Sequence, residues 1–265
     1  MTSILIEPNA LCEKVARIGH TENVIGYESG AEFAAQAAKD VAASHGCSVL
    51  RDTAAEVRAG ESSVEVATAS SGTIRAPFAV LATGVRPRRI DEAPWIVGTT
   101  DFPELISTEP EQLRGVESIV LGVDRPLGTV LRTHPDLDMR LLAMYPVSEA
   151  YKANEVADDP RVTLMRVRRV EVMQAHTGSR HLDVESDDGT RTFTADRVYL
   201  NLGVEAAVPP GDLVTDDTGY CPPDRQHRRV LIAGDLRSSR YQRIMTALGS
   251  GAESALHAYY QLSLR

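Results

Sequence analysis

One stretch constrains the fold more than any other: Val230-Leu231-Ile232-Ala233-Gly234-Asp235-Leu236-Arg237, followed by Met245-Thr246-Ala247-Leu248-Gly249-Ser250-Gly251-Ala252. It predicts a short apolar strand, a Gly-Asp turn, a polar loop and a helix running to the C-terminus. An Asp at the end of a buried strand is costly unless it meets a donor or a ligand hydroxyl. The small residues that open the helix let a ligand approach the backbone at the positive helix end. The plain alternative is a strand, turn and helix in which Asp235 is incidental.

The sequence opens on an apolar, β-branched run, Thr2 to Ile6, that ends in Glu7. In dinucleotide-binding folds an acid at such a strand end holds ribose hydroxyls, about 20 residues after a glycine-rich turn. No such turn precedes Glu7 in the sequence, and a solvated strand end is the alternative. Glu32 to Ser44 reads as an Ala-rich amphipathic helix. Cys47–Leu50, Ala55–Arg58, Ser63–Ala69 and Thr73–Ala76 read as strands of a meander. A second buried strand stops on Ala82-Thr83-Gly84, where glycine brings backbone close to a ligand. Residues 85–115 carry four prolines and read as a linker with one short helix. Val162–Val172 reads as a single strand.

Three stretches together resemble the thioredoxin-reductase-like FAD-dependent pyridine nucleotide–disulfide oxidoreductases. Residues 230–252 resemble that family's C-terminal flavin motif. Residues 79–88, with Ala82-Thr83-Gly84-Val85-Arg86-Pro87-Arg88, resemble its A-T-G-x-x-P-R exit from the flavin domain. His20-Thr21-Glu22-Asn23-Val24-Ile25-Gly26-Tyr27 resembles its E-N-x-P-G-F segment, which lines the flavin ring. The resemblance implies an α/β, two-domain, Rossmann-type three-layer flavoprotein fold, N-terminally truncated. The FAD-type domain would combine residues 1–104 and 223–265 and lack its first βα unit, and a degenerate NAD(P)-type domain would span 105–222. It implies FAD contacts from Glu7, Asn23, Thr83, Gly84, Gly234, Asp235, Gln242, Arg243, Thr246 and Ala247, with His20 as a weak candidate proton donor. It also implies a homodimer.

The departures from the family matter as much. Leu11-Cys12-Glu13-Lys14 stands where Gly-Gly-Gln is usual, and Gln242-Arg243 reverses an Arg-Gln pair. Thr99-Thr100-Asp101-Phe102 replaces the redox C-x-x-C, and thiol–disulfide exchange needs thiolates. The second dinucleotide turn, Gly122-Val123-Asp124-Arg125-Pro126-Leu127, places a carboxylate where a pyrophosphate would sit and a proline where an N–H would donate. Tyr145 to Glu149 offers no arginine for a 2′-phosphate, so NADPH is not expected. Three readings follow: a small-molecule flavoprotein oxidoreductase without its own dithiol or usual NADPH site; a flavin-free relative acting as a subunit or non-redox enzyme; and a sequence whose natural start lies upstream. In the first, either a partner chain supplies the dinucleotide-binding turn or the flavin is held in a mononucleotide-like mode, and the chain alone binds FAD weakly.

Net charge is −9, which disfavours nucleic acid or an anionic membrane surface as partner. No apolar run approaches the roughly 20 residues that span a bilayer, and no secretory signal is read, so a cytoplasmic protein is expected. Cys12, Cys47 and Cys221 form no C-x-x-C pair, and the seven histidines show no metal spacing. Arg166, Arg168 and Arg169 read as a solvated strand edge.

Overall fold

A computed structural model of the chain describes residues 2–21, 23–98, 101–174 and 179–263. Glu22, Thr99, Thr100 and His176, noted in the sequence, lie outside them. The chain divides into two compact units, Met1–Arg86 with Glu205–Arg265, and Pro87–Val204. Both crossings come earlier than the boundaries near 104 and 223 read from the sequence. The Pro-rich stretch after Arg86 is no loose linker: Trp95, Ile96 and Phe102 are buried in the second unit's core. Conversely, Cys221 is buried in the first unit's core, with Ala206, Val208 and Leu213 packed against it.

In the first unit, Ser3–Ile6 pairs in parallel with Cys47–Leu50. Between them lies the helix Gly30–Ala43, capped by the Ser29 hydroxyl on the Glu32 amide. Cys47–Leu50 therefore belongs to a β-helix-β crossover and not to the meander expected for it. A parallel neighbour needs a crossover connection, which this helix supplies. The meander is three-stranded: Ala54–Ala59, Val64–Thr68 and Thr73–Ala76, all antiparallel. Asp52 closes it, accepting the Thr53, Ser70 and Ser71 amides and the Ser70 hydroxyl. Those hydrogen bonds, led by Ser71, hold its carboxyl well below the usual carboxylate range. A separate parallel pair joins Val230–Ile232 to Ala79–Leu81. Its inward residues Leu81, Val230 and Ile232 pack with Val57, Val64 and Leu236.

The second unit holds a four-stranded parallel sheet in the order Val162–Val167, Arg140–Pro146, Glu117–Leu121, Val198–Leu200. A second sheet joins Gly189–Ala195, Arg180–Ser186, Arg169–Gln174 and the short strand Ile96–Val97. The run 162–172 is thus two strands in different sheets. Arg168 breaks it, giving its amide to the Glu185 carbonyl. Arg166 and Arg168 share the Asp187 carboxylate at an exposed edge.

Burial raises the Glu104 carboxyl in this unit to about 7 from an ordinary 4.5. Between those values the folded chain keeps a proton that the unfolded chain releases, so stability falls as pH rises through the window. Glu104→Gln removes the ionisable group. In urea melts it should match the wild type near pH 4 and exceed it above pH 7; identical pH profiles for the two would refute this.

Candidate functional site

The site in the first unit is built where strands end. Val230 and Ile232 are buried, and the Ala233 amide continues the pairing to the Leu81 carbonyl at 2.9 Å. Gly234 then turns the chain at φ +66°, a conformation glycine adopts without penalty. Its amide donates to the Ser250 hydroxyl at 2.8 Å, and that hydroxyl lies 2.9 Å from the Ala247 carbonyl. Ser250 thereby fastens the turn to the helix Ile244–Ser263. The turn presents Asp235, which is half-buried. Among the described residues, no hydrogen bond or ion pair reaches its carboxylate. Burial raises its pKa, opposed by the charges of Lys14 and Arg243.

Lys14 is the residue the sequence reading missed. It lies on the short helix Glu13–Ala16 and donates from Nζ to the Val85 carbonyl. Burial lowers its pKa, while the carboxylates of Asp235 and Glu7 raise it. Among the described residues, the ammonium thus rests on the chain just after Gly84 and feels the charges of Glu7 and Asp235 without an ion pair to either. The Glu7 amide extends the strand pairing to the Leu50 carbonyl at 3.0 Å, and Glu7 Oε1 accepts the Asn9 amide at 3.0 Å. Gly84, at φ +66°, leaves open space where a Cβ would stand. Two non-glycine residues in the left-handed region flank this cluster, Cys12 at φ 58° and Tyr241 at φ 61°.

The other expected contacts are distributed differently. Gln242 Nε2 donates to the Ser238 carbonyl at 3.1 Å and the Tyr220 hydroxyl at 3.2 Å, so it braces the loop. Thr246 accepts the Arg243 amide at 3.1 Å and donates to the Tyr241 carbonyl at 2.6 Å, capping the helix. The Ala247 amide is already the helix's own, bonded to the Arg243 carbonyl at 2.9 Å. Thr83 spends its hydroxyl on the Ala207 carbonyl at 2.6 Å. His20 and Asn23 are exposed on a loop closed by Thr21, whose amide reaches Glu28 and whose hydroxyl reaches Tyr27. Among the described residues, no contact ties His20 or Asn23 to Asp235. A groove of about 540 Å³ in this unit runs along the alanine face of Gly30–Ala43, with Leu11, Val49 and Arg51 in its wall, and does not include Asp235.

The second unit's dinucleotide turn is filled by its own side chains. Gly122, at φ +104°, follows Glu117–Leu121. Asp124 Oδ1 accepts the Arg125 amide at 2.9 Å, and its Oδ2 holds Lys152 Nζ at 2.7 Å. Lys152 also lies 3.6 Å from Glu149, whose other oxygen is 3.8 Å from Arg88. Burial alone would lower the Lys152 ammonium, but the hydrogen bond and charge of Asp124, with Glu149, raise it. A pyrophosphate at this turn would meet a carboxylate whose cation is already committed. The residues present do not fit a nicotinamide dinucleotide held in the usual manner.

Among the described residues, no three His, Cys, Asp or Glu side chains are placed to hold a metal ion, and no helix is long and apolar enough to cross a membrane. No protein-family model and no curated protein sequence matches the chain. Solved structures do. It is similar to T. acidophilum thioredoxin reductase at 14% identity, with a TM-score of 0.77 over 99% of this chain and 98% of that one. Lactococcus lactis thioredoxin reductase matches at 16% identity and TM-score 0.78, over 98% of this chain and 90% of that one. The Giardia duodenalis enzyme matches at 16% identity and TM-score 0.56, over 99% and 98%. At such identity the likeness is one of architecture: the chain has a thioredoxin-reductase-like fold.

Proposed function

We propose that the first unit binds a flavin and that the chain is part of a flavoprotein oxidoreductase acting on a small molecule, without a dithiol or NADPH site of its own. The observation that carries this is Asp235, a half-buried carboxylate at a strand end with no donor among the described residues. Such a group costs stability unless a ligand hydroxyl satisfies it. A flavin's sugar-alcohol chain supplies hydroxyls of that kind. Asp235 and Glu7 would accept them, and Lys14, Arg243 and the positive end of Ile244–Ser263 would face a phosphate. Gly84 and Gly234 keep the backbone bare beside them. A flavin, when bound, supplies electron transfer; the chain's own residues hold and orient it. The cluster fits one phosphate better than two, because the described residues offer no glycine turn of amide donors beside Glu7.

The thiols support a reaction other than disulfide exchange. Cys12, Cys47 and Cys221 are unpaired. Burial and Glu7 push the Cys12 thiol up, and burial and Asp216 do the same for Cys221, which disfavours the reactive thiolate. The second reading is a flavin-free subunit or non-redox enzyme. It is favoured by the Lys14 ammonium already resting on the Val85 carbonyl beside Asp235. Fluorescence titration with riboflavin, FMN and FAD separates the two. The flavin reading expects saturable binding of FMN and FAD, with affinities within about tenfold of each other because one phosphate is served. Failure of all three to bind leaves the second reading.

The homodimer is retained as part of this proposal. Met245, Leu248, Leu256, Tyr259 and Tyr260 are exposed on one side of the last helix, opposite its buried Ser250, Ser254 and Ala258. A second copy would cover that side. Leu256→Glu is expected to give a monomer by light scattering; an unchanged dimer would place the interface elsewhere.

A further inference from the structure

The parallel sheet of the second unit carries three polar side chains on a face that is otherwise apolar core. The Ile119 amide donates to the Arg197 carbonyl at 3.0 Å, so Arg197 extends the pairing of Val198–Leu200 and stands opposite Ser118. Side chains alternate along a strand. Ile119, Leu121, Val198 and Leu200 pack into one core, Val120 and Tyr199 into the other. Ser118, Arg197 and Tyr199 therefore share the second of these faces, on neighbouring strands about 4.8 Å apart. Ser118 is 0% exposed and Tyr199 4%, and Arg197 is partly buried. Ser118 Oγ and Arg197 Nη1 are both buried, and among the described residues neither has a hydrogen-bond partner. Among the same residues, no hydrogen bond reaches the Tyr199 hydroxyl. Burial raises its pKa against the charge of Arg197, so at neutral pH it keeps its proton and can donate. Glu117 and Asp196 adjoin the trio in sequence but are exposed, and among the described residues no ion pair reaches Arg197.

We propose that Ser118, Arg197 and Tyr199 form a site for one compact monovalent anion of about the size of chloride. The donor set dictates the ligand. A guanidinium offers N–H donors and no acceptor, and each hydroxyl has a proton to give. One positive charge is left without a counter-charge, and a charge drawn out of water is costly unless it is paired. A water molecule would accept from the hydroxyls and leave the charge unbalanced. One anion accepts from all three groups and balances the guanidinium. Ser118 and Tyr199, at most 4% exposed, suit an ion of about a water's size and not an organic acid. The ion would tie Glu117–Leu121 to Val198–Leu200 near the start of both strands, at the other end from the turn at Gly122. The site belongs to the second unit and stands whether or not the first binds a flavin.

The test follows the chloride NMR line width and the thermal melting of the full chain as sodium chloride replaces sodium gluconate at constant ionic strength. The wild type is expected to broaden the chloride line and to melt higher by about 3 °C or more at about 200 mM chloride, with a saturable rise. Arg197→Met keeps an apolar stem and removes the charge, so it should lose both responses. Ser118→Ala removes one hydroxyl at nearly constant volume. It should weaken chloride binding at least about threefold while its melting temperature in gluconate stays within about 2 °C of wild type. General salt effects would persist in both variants. A wild type indifferent to chloride in both measurements, or a chloride response undiminished in Ser118→Ala, would overturn the proposal. The same holds for a response undiminished in Arg197→Met; should that variant not fold, Ser118→Ala decides alone.

Discussion

Gly122→Ala is expected to lower the melting temperature by about 10 °C, the loss corresponding to about 3 kcal/mol or more in a chain of this size. Two costs add. Gly122 sits at φ +104°, where an L side chain is strained by about 1–3 kcal/mol. Its new Cβ would also stand 2.2 Å from the Asn201 carbonyl oxygen and 3.0 Å from the Leu202 nitrogen. Neither side can yield cheaply. The Gly122 amide is bonded to the Met144 carbonyl at 2.8 Å, and the Asn201 amide to the Leu121 carbonyl at 2.8 Å. Gly189→Ala is the control: φ is +108° there, but a Cβ meets nothing within 4 Å, so only the conformational cost of about 1 kcal/mol or more applies. Equal losses for the two variants in thermal scans would show that close packing at Gly122 contributes nothing.

Lys152→Ala is the second large effect. It leaves Asp124, whose side chain is 21% exposed, and Glu149, 12% exposed, without the cation they share. Removing one partner of such a group leaves uncompensated charge and costs about 3 kcal/mol. Asp124→Asn in the same chain should recover at least half of that loss, because the neutral amide needs no cation. Additive losses in the double variant would mean the two side chains are not coupled. Lys152→Ala is expected to gain no NADPH binding, since the Asp124 carboxylate still occupies the turn.

Much of the first unit was legible because local chemistry and tertiary role agree there. β-Branched runs bounded by turn residues gave Cys47–Leu50 and Thr73–Ala76 to the residue. The Val230–Asp235 strand and turn and the helix after it stand where their apolar run and small residues put them. What the sequence hid is long-range. Lys14 is one cation on a single helical turn, and only the fold brings it to the Val85 carbonyl and within reach of the charges of Asp235 and Glu7. Gln242, Thr246 and Thr83 resemble ligand contacts in type, yet the fold spends their polar groups on the backbone. The Pro-rich stretch from 87 read as linker because proline marks chain breaks, while Trp95 and Phe102 commit it to a core. The split of 162–172 shows in the sequence only as the adjacent Arg168 and Arg169, which interrupt the apolar alternation for one step; the change of sheet partner makes the division.

The most direct measurement is the FAD dissociation constant of the wild-type chain beside that of Asp235→Ala, read by fluorescence polarisation with melting curves on both. Among the described residues the Asp235 side chain makes no hydrogen bond that its removal would break, so the variant should melt no lower than wild type. The account predicts saturable, weak binding by the wild type, about 10 µM or weaker, and at least tenfold weaker binding by the variant. Equal affinities with equal melting curves would contradict it, because the one half-buried carboxylate on which the flavin reading rests would then touch no ligand.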